Sequence, residues 1–453
     1  MKNEDQKPTS PRGAASGSGG LAGVLRALRF RNYRLYFAGQ GISLVGTWIQ
    51  SIALSWLVYS LTHSAFLLGL VGFSAQIATF LLSPFAGVIV DRLPKRRTLV
   101  ATQSLFGLQA LALGLLVLGH AIAVWQILVL STFLGMLNAL DMPMRQSFVV
   151  EMIEDRADLP NAIALNSSMF NGARLIGPAV AGVLIAAVGE GFCFLINAAS
   201  YLAVIAALLA MQVPPHRARA EHRDVLHELR EGFDYTFGFA PLRWIIMLLS
   251  LVSFAAMPYA TLMPIFASQV LHGNARTLGF LSCAIGVGAL VGAFILASRR
   301  SVVGLGRWIP LAAAGFGAAL IGFSYSHSLP ASLALLTVVG FTMITHMAAS
   351  NTLLQTIADD EHRGRVMSFY IMGFVGLAPF GSLAGGALAA RIGAQHTVML
   401  GGVICLLGAA AFARKLPTIR ALVRPVYRQR GIMPEVAAAV QAASNTNVPP
   451  EKV

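Results

Sequence analysis

Long apolar runs separated by short polar breaks dominate the chain, and the runs share one size. Stretches of the roughly 20 residues that a helix needs to cross a bilayer fall at 35–60, 65–90, 98–119, 124–150, 161–188 and 191–211. After a break they resume at 242–271, 276–298, 308–326, 331–357, 366–390 and 396–414. The pattern predicts an all-α integral membrane protein with twelve transmembrane helices in two sets of six. Between the sets lies the one long polar interior stretch, "PPHRARAEHRDVLHELREGFDYTFGFAP", where Val225, Leu226, Leu229 and Phe233 recur at helical spacing among charges. That is the signature of an amphipathic helix lying on the membrane surface. The expected organisation is a disordered tail at 1–30, a six-helix half at 31–211, a linker at 212–240, a second half at 241–416 and a basic tail at 417–453. The opening "MKNEDQKPTSPRGAASGSGG" is polar and Gly/Ser-rich, and lacks the short apolar core of a cleaved signal peptide.

Composition agrees: 56% of residues are hydrophobic and 11% charged, against about 25% charged in soluble domains. The net charge of +14 invites a nucleic-acid reading. It fails, because the bases sit in loops between apolar spans and form no face or tail with aromatics. Of the 33 Lys and Arg residues, the loops on one side hold only Arg276 and Arg391. The excess of positive charge marks the other side as cytoplasmic, so the chain is expected in the cell (inner) membrane with both termini and the linker inside. Arg420, Arg424 and Arg428 are placed to meet anionic lipid headgroups. Cys193, Cys283 and Cys405 each lie within an apolar run, which excludes a disulfide frame or a CxxC metal site.

The two sets are related in sequence. "VEMIEDRADLPNAIALNSSMFNGARLIGPAVAGVLIAAVG" (150–189) lies on "LQTIADDEHRGRVMSFYIMGFVGLAPFGSLAGGALAARIG" (354–393) without a gap, pairing Asp155 with Asp359 and Gly177, Gly182 and Gly189 with Gly381, Gly386 and Gly393. Six helices per half preserve direction, so the halves are parallel repeats about an axis along the membrane normal.

One loop concentrates charge. "GVIVDRLPKRR" (87–97) follows an uncharged run and lies between the second and third helices. Through Gly87, Asp91, Arg92, Lys95 and Arg96 it resembles the signature loop of the major facilitator superfamily, with Pro94 where that family usually has Gly. Ordinary positive-inside charge explains the bases, but not Gly87 and Asp91 at this spacing. The resemblance implies a latch between the halves on the inner side, broken as the transporter changes state. The equivalent "GAFILASRRSVVG" keeps Gly292, Arg299 and Arg300 without the acid. "GARLIGPAVAG" resembles the Gly-Pro motif of the superfamily's antiporters through Gly172, Gly177, Pro178 and Gly182; small residues with proline also make a kinked, closely packed helix whatever the transport direction. "NALDMPMRQS" and "EDRADLPNAIALNSSMFNGARLIGP" resemble the branch that contains bacterial enterobactin exporters and macrolide-type drug efflux pumps.

Ionisable side chains at mid-bilayer cost about 2.5–3.5 kcal/mol even on insertion scales, so Asp141, Arg145 and Arg174 draw attention. Asn138, Asp141 and Arg145 share one face of the fourth helix, and Ser167, Asn171 and Arg174 one face of the fifth. Turned inward together, these faces would make a polar patch for an anionic or hydroxyl-rich ligand. Asp141 is the candidate proton-coupling carboxylate; a structural pair with Arg145 is the competing reading. Arg174 is either helix-packing glue or a ligand contact. His346, with Thr342 and Ser350 on one side of the tenth helix, reads more readily as a packing residue than as a ligand. Gln40, Gln50 and Tyr259 are cavity-lining candidates by position.

The expected function is secondary active export of an amphipathic small molecule, siderophore or drug-like, by proton antiport and alternating access. No Walker A or HExxH pattern occurs, so direct use of ATP and metallohydrolase chemistry are not expected, and no cofactor or metal is implied. Import, or flipping of a lysophospholipid, is the alternative within the same fold. The expected partners are the small-molecule substrate, protons and membrane lipids, with a monomer as the working unit.

Overall fold

The computed structural model describes residues 25–153, 155–212, 225–299, 301–430 and 432, with backbone alone for 84–89, 91, 92, 156 and 225–229. Most of the N-terminal tail, the first part of the linker, the end of the basic tail and Arg300 lie outside the described residues. So do the side chains of Gly87, Asp91, Arg92, Val225, Leu226 and Leu229. Among the described residues thirteen helices follow one another: α1 (Arg31–Thr62), α2 (Ala65–Arg92), α3 (Lys95–Leu118), α4 (Val124–Glu151), α5 (Leu159–Val188), α6 (Glu190–Ala210), α7 (Val225–Gly238), α8 (Ala240–Val270), α9 (Ala275–Ala297), α10 (Leu305–Ser324), α11 (Leu329–Ile357), α12 (Arg363–Ile392) and α13 (Ala394–Gln429). All but α7 contain a stretch long and apolar enough to cross a membrane, and no strand occurs among the described residues.

Two spans are broken where their sequence forbids a continuous ladder. In α8 the regular helix ends at Ala255 and restarts at Pro258, and Pro264 precedes a π-turn over Phe266–Val270. Proline removes an N–H and pushes against the preceding turn, so breaks collect there. In α12 a π-turn at Met372–Gly376 precedes Pro379. The Phe374 carbonyl in that turn accepts the Ser253 hydroxyl of α8 at 2.5 Å, which satisfies a group the wider turn would leave bare.

Packing follows the repeat read from the sequence. In the first half α1 packs on α5 and α6, α2 on α4, and α3 on α6; in the second α8 and α10 pack on α13, and α9 and α10 on α11. Gly189 and Gly393, paired by the repeat, both turn the chain with positive φ, 83° and 84°, a conformation that strains any residue with a Cβ. The halves meet along two seams, α5 against α9 and α2 against α12. At one seam Gly182 faces Gly279, and at the other Gly386 faces Gly69. A Cβ on any of the four would stand 2.8–3.0 Å from the opposing Cα. These contacts lie far from the face that carries residues 25 and 432, which is called proximal below; the opposite face is distal.

The segment preceding each half is pinned to the same loop of that half. A 3-10 turn at Arg26–Arg29 reaches the α4–α5 loop, where Arg26 and Arg29 pair with the buried Asp158, Arg29 at 2.6 Å. Tyr33 donates to the Ala162 carbonyl at 2.7 Å. Residues 26–30, expected in a disordered tail, are therefore ordered. In the second half α7 lies against the α11–α12 loop and the first turns of α12, and not simply on the membrane surface. Tyr235 donates to Asp359 at 2.9 Å and stacks on His362 at 4.2 Å, and Phe233 and Phe237 pack on Phe369. The last span, expected to end at 414, continues as one helix to Gln429.

Glu231 of α7 meets Arg365 at 2.7 Å and His362 at 3.3 Å. The hydrogen bond from Arg365, then the charges of Arg365 and His362, hold its carboxyl below the ordinary value of 4.5. Docked α7 thus releases this proton more readily than undocked α7, so the contribution is complete above the ordinary value and is lost as pH falls through the lowered one. Amide protection of α7 in hydrogen exchange, after correction for intrinsic rates, is expected to be high at neutral pH and to fall only once pH drops beneath the ordinary carboxylate value. Glu231→Gln is expected to show the low protection at both. Equal protection of wild type and variant would show that the ion pair does not hold α7.

Candidate functional site

The buried charges gather in the first half. Asp141 lies ten residues before the end of α4, about 15 Å along the helix axis from its proximal end, and is 1% exposed. Arg145, one turn later, brings Nε to 2.6 Å from Asp141 Oδ2. The other carboxylate oxygen accepts from Thr102 Oγ1 at 2.9 Å and Gln103 Nε2 at 2.8 Å, both on α3. Tyr36 of α1 and Tyr201 of α6, both buried, stand within electrostatic reach of the pair. Arg145 keeps 21% of its side-chain surface exposed, so the pair has one accessible side. A buried carboxylate needs this complement of a counter-charge and two donors to remain at membrane depth. Thr102 and Gln103 carried no sequence signal, since nothing in their spacing ties them to a residue almost forty positions on.

The expected patch between α4 and α5 is not what the structure builds. Asp141 turns to α3, while Asn138 and Asn171 donate back to Leu134 and Ser167 of their own helices, at 3.0 and 2.9 Å. The i, i+3, i+7 spacing places residues on one face but leaves the rotation of the helix open. Arg174 stands apart from this cluster, its guanidinium 5.9 Å from the Trp48 ring of α1, against which Phe170 packs edge-on. It makes no ion pair among the described residues. The guanidinium is half-buried beside the Trp48 ring midway along a span, a positive charge at membrane depth.

The other candidates divide into packing and open groups. Gln50 is a structural link and not cavity lining: it donates to Gln109 at 3.0 Å and accepts from Asn197 at 2.7 Å, and Gln109 reaches the Leu130 carbonyl, so one amide chain ties α1, α3, α4 and α6. Tyr259 is likewise a packing residue, 2% exposed with its ring edge-on to Phe316. Gln40 is buried with its Oε1 unpartnered. His346 Nδ1–H donates to the Ile309 carbonyl of α10 at 3.2 Å, leaving Nε2 and the nearby Ser350 hydroxyl buried without partners.

Of the charged loop, Lys95 pairs with Glu151 at 2.6 Å and Arg96 donates to the Leu208 and Leu209 carbonyls, each at 2.7 Å. Both bases are bonded inside the first half, Arg96 where the α6 dipole is negative. In the α5 motif Gly177 abuts the Trp48 Cβ, Pro178 is buried within the helix and Gly182 forms the seam. Gly172 is not a packing position, because a Cβ there would meet nothing within 4 Å. Among the described residues no three His, Cys, Asp or Glu side chains gather as a metal site.

Among the described residues twelve spans in two similarly packed sets of six, joined along glycine seams, make a multi-pass membrane protein of the major facilitator architecture, and the family and relatives that match it are transporters and not enzymes. Residues 22–446 match the transmembrane secretion effector family, and the chain belongs to it. It is 27% identical over 376 residues to the staphyloferrin A transporter of Staphylococcus aureus, covering 82% of this chain and 94% of that one. It is 27% identical over 399 residues to the multidrug efflux pump Tap of Mycolicibacterium fortuitum (85% and 94% covered). Macrolide efflux protein A of Streptococcus pyogenes is 22% identical over 398 residues (83% and 96%). Among solved structures, a bacterial homologue of the human lysosomal transporter Spinster superposes with a TM-score of 0.65 at 14% identity, covering 89% of this chain and 99% of that one. A bacterial homologue of the iron transporter ferroportin gives 0.66 at 14% identity (85% and 98%).

Proposed function

We propose that the protein is a proton-coupled exporter of amphipathic small molecules, siderophore or drug-like, working as a single chain in the cell membrane with its proximal face in the cytoplasm. The buried Asp141–Arg145 pair carries the reading. It sets a carboxylate against a fixed positive charge at membrane depth, where rearrangement of the helices would let Asp141 lose and regain a proton. Relatives that are efflux pumps support outward transport, and the bias of Lys and Arg toward the proximal loops supports the orientation. The seam contacts lie toward the distal ends of the spans, which suits a state open to the cytoplasm, ready to load cargo and to close by rocking of the halves. Release of Lys95 and Arg96 from their partners in the first half would let the charged loop engage the second half in the opposite state.

Inside-out vesicles test direction and coupling together. With an acid interior imposed, radiolabelled drug and siderophore cargoes are expected to accumulate inside, and collapse of the gradient by an uncoupler is expected to stop this. Accumulation only in right-side-out vesicles would make the protein an importer, and movement of a fluorescent lysophospholipid alone would make it a flippase. Cargo charge is tested at Arg174. A hydrogen bond to a charged group is worth about 1.5–3 kcal/mol, so Arg174→Gln is expected to raise the apparent KM for anionic cargo by about tenfold or more while sparing neutral cargo. Equal losses for both would assign Arg174 to helix packing.

A further inference from the structure

Two cavities on the second half share a wall, at the proximal ends of α10 and α13. The first, about 460 Å³, is bounded by Leu353, Ile419 and Val423 and by three arginines: Arg307 of α10, and Arg420 and Arg424 one turn apart on α13. The second, about 540 Å³, runs from there toward the bilayer centre between the same two helices, over Pro310, Leu311, Ala314, Ala409, Ala410 and Ala413. Arg307, Leu416 and Arg420 line both, so the two are continuous. No carboxylate lines either cavity, and none of the three arginines forms an ion pair among the described residues. Leu311, on the wall of the apolar slot, is 68% exposed, so the slot opens sideways to where lipid would lie.

Length explains the position. At 1.5 Å per residue the 36 residues of α13 span about 54 Å, against a hydrocarbon core of about 30 Å. The turns bearing Arg420 and Arg424 therefore pass the membrane edge, while the alanines two and three turns before Arg420 remain within it. Charge and slot meet where a phospholipid changes from headgroup to acyl chain. We propose that this is a binding site for one anionic glycerophospholipid of the proximal leaflet, its phosphate among Arg307, Arg420 and Arg424 and an acyl chain in the alanine slot. A free anion would leave the slot unfilled, and a zwitterionic lipid would bring a positive group among three guanidiniums. The site is independent of cargo and transport direction. It differs from diffuse attraction of a basic tail to the membrane, because Arg428, equally cationic and four residues on, lines neither cavity.

Native mass spectrometry of the full chain in mild detergent tests it, with palmitoyl-oleoyl phosphatidylglycerol and phosphatidylcholine as probes of identical chains. One phosphatidylglycerol per protein is expected to bind first, about tenfold more tightly than phosphatidylcholine. Arg420→Gln and Arg424→Gln are each expected to weaken it about fivefold, the equivalent of about 1 kcal/mol per arginine near a charged surface. Arg428→Gln is expected to leave it unchanged, and inorganic phosphate not to compete. Ala410→Phe, which fills the slot and leaves every arginine, is expected to weaken binding as much as losing an arginine. If its lipid-free Tm falls, Ala413→Val makes the same comparison. Equal affinity for the two lipids, an Arg428→Gln loss matching that of Arg420→Gln, competition by phosphate, or indifference to a filled slot would each overturn the proposal.

Discussion

Asp141→Asn is expected to abolish accumulation driven by a pH gradient, by about 100-fold or more, while exchange of labelled for unlabelled cargo without a gradient continues. Asparagine retains the shape, and its carbonyl oxygen can still accept from Thr102 and Gln103, which lie 2.9 and 2.8 Å from the carboxylate in the wild type. What it cannot do is take up a proton, and it leaves Arg145 without its counter-charge. Removing one partner of a fully buried pair costs about 3–5 kcal/mol. The Arg145 side chain keeps 21% of its surface uncovered, so the pair is not fully enclosed and the cost is expected toward the low end of that range. The two roles of Asp141 therefore separate experimentally. Loss of coupling with exchange and Tm retained assigns proton transfer to the carboxylate. Loss of coupling, exchange and Tm together makes the pair a brace between α3 and α4, and the proton site would have to lie elsewhere.

Hydropathy revealed most of the architecture because a bilayer forces every span to hide its backbone in a helix of similar length. It placed the helix ends less well where polar residues continue a helix beyond the membrane, as in the extension of α13 to Gln429. The repeat was legible through small residues. The pairing of Gly182 with Gly386 reappears as two equivalent seams, since only a residue without a side chain lets backbones come this close. The site was legible in part. Cost marked Asp141, Arg145 and Arg174 as exceptional, but their surroundings depend on how each helix is rotated, and periodicity is silent on that. Thus Gln50, Gln109 and Asn197, ordinary amides in apolar runs, link four helices, and the face of Asn138 and Asp141 does not join that of Asn171. The proximal clamps built on Arg26, Arg29 and Tyr235 were hidden for another reason: each joins segments more than a hundred residues apart.

Gly182→Val and Gly386→Val are each expected to open the distal face and to reduce transport by more than about tenfold. At Gly182 the first added carbon would stand 2.9 Å from the Ala275 carbonyl oxygen and 3.0 Å from the Gly279 Cα. At Gly386 it would stand 2.7 Å from the Ala65 carbonyl oxygen and 2.8 Å from the Gly69 Cα. Backbone on both sides cannot yield as a flexible side chain can. Overpacking of this kind costs about 1–3 kcal/mol, which shifts a two-state equilibrium by about fivefold to more than a hundredfold. The strain falls on the state in which the seams are closed and is relieved when the halves part on the distal side, so the variants act on the balance of states and not on the fold of either half. Spin labels at Leu61→Cys and Arg391→Cys, in a background with the native cysteines replaced, report the distance between the distal ends of the two halves. In the wild type a short distance is expected to dominate, and in either valine variant a longer one. Because the repeat relates the two seams, both variants should move the distribution the same way. A shift in one alone would mean that the seams open independently, and rigid rocking of the halves would then give way to gating by single helices.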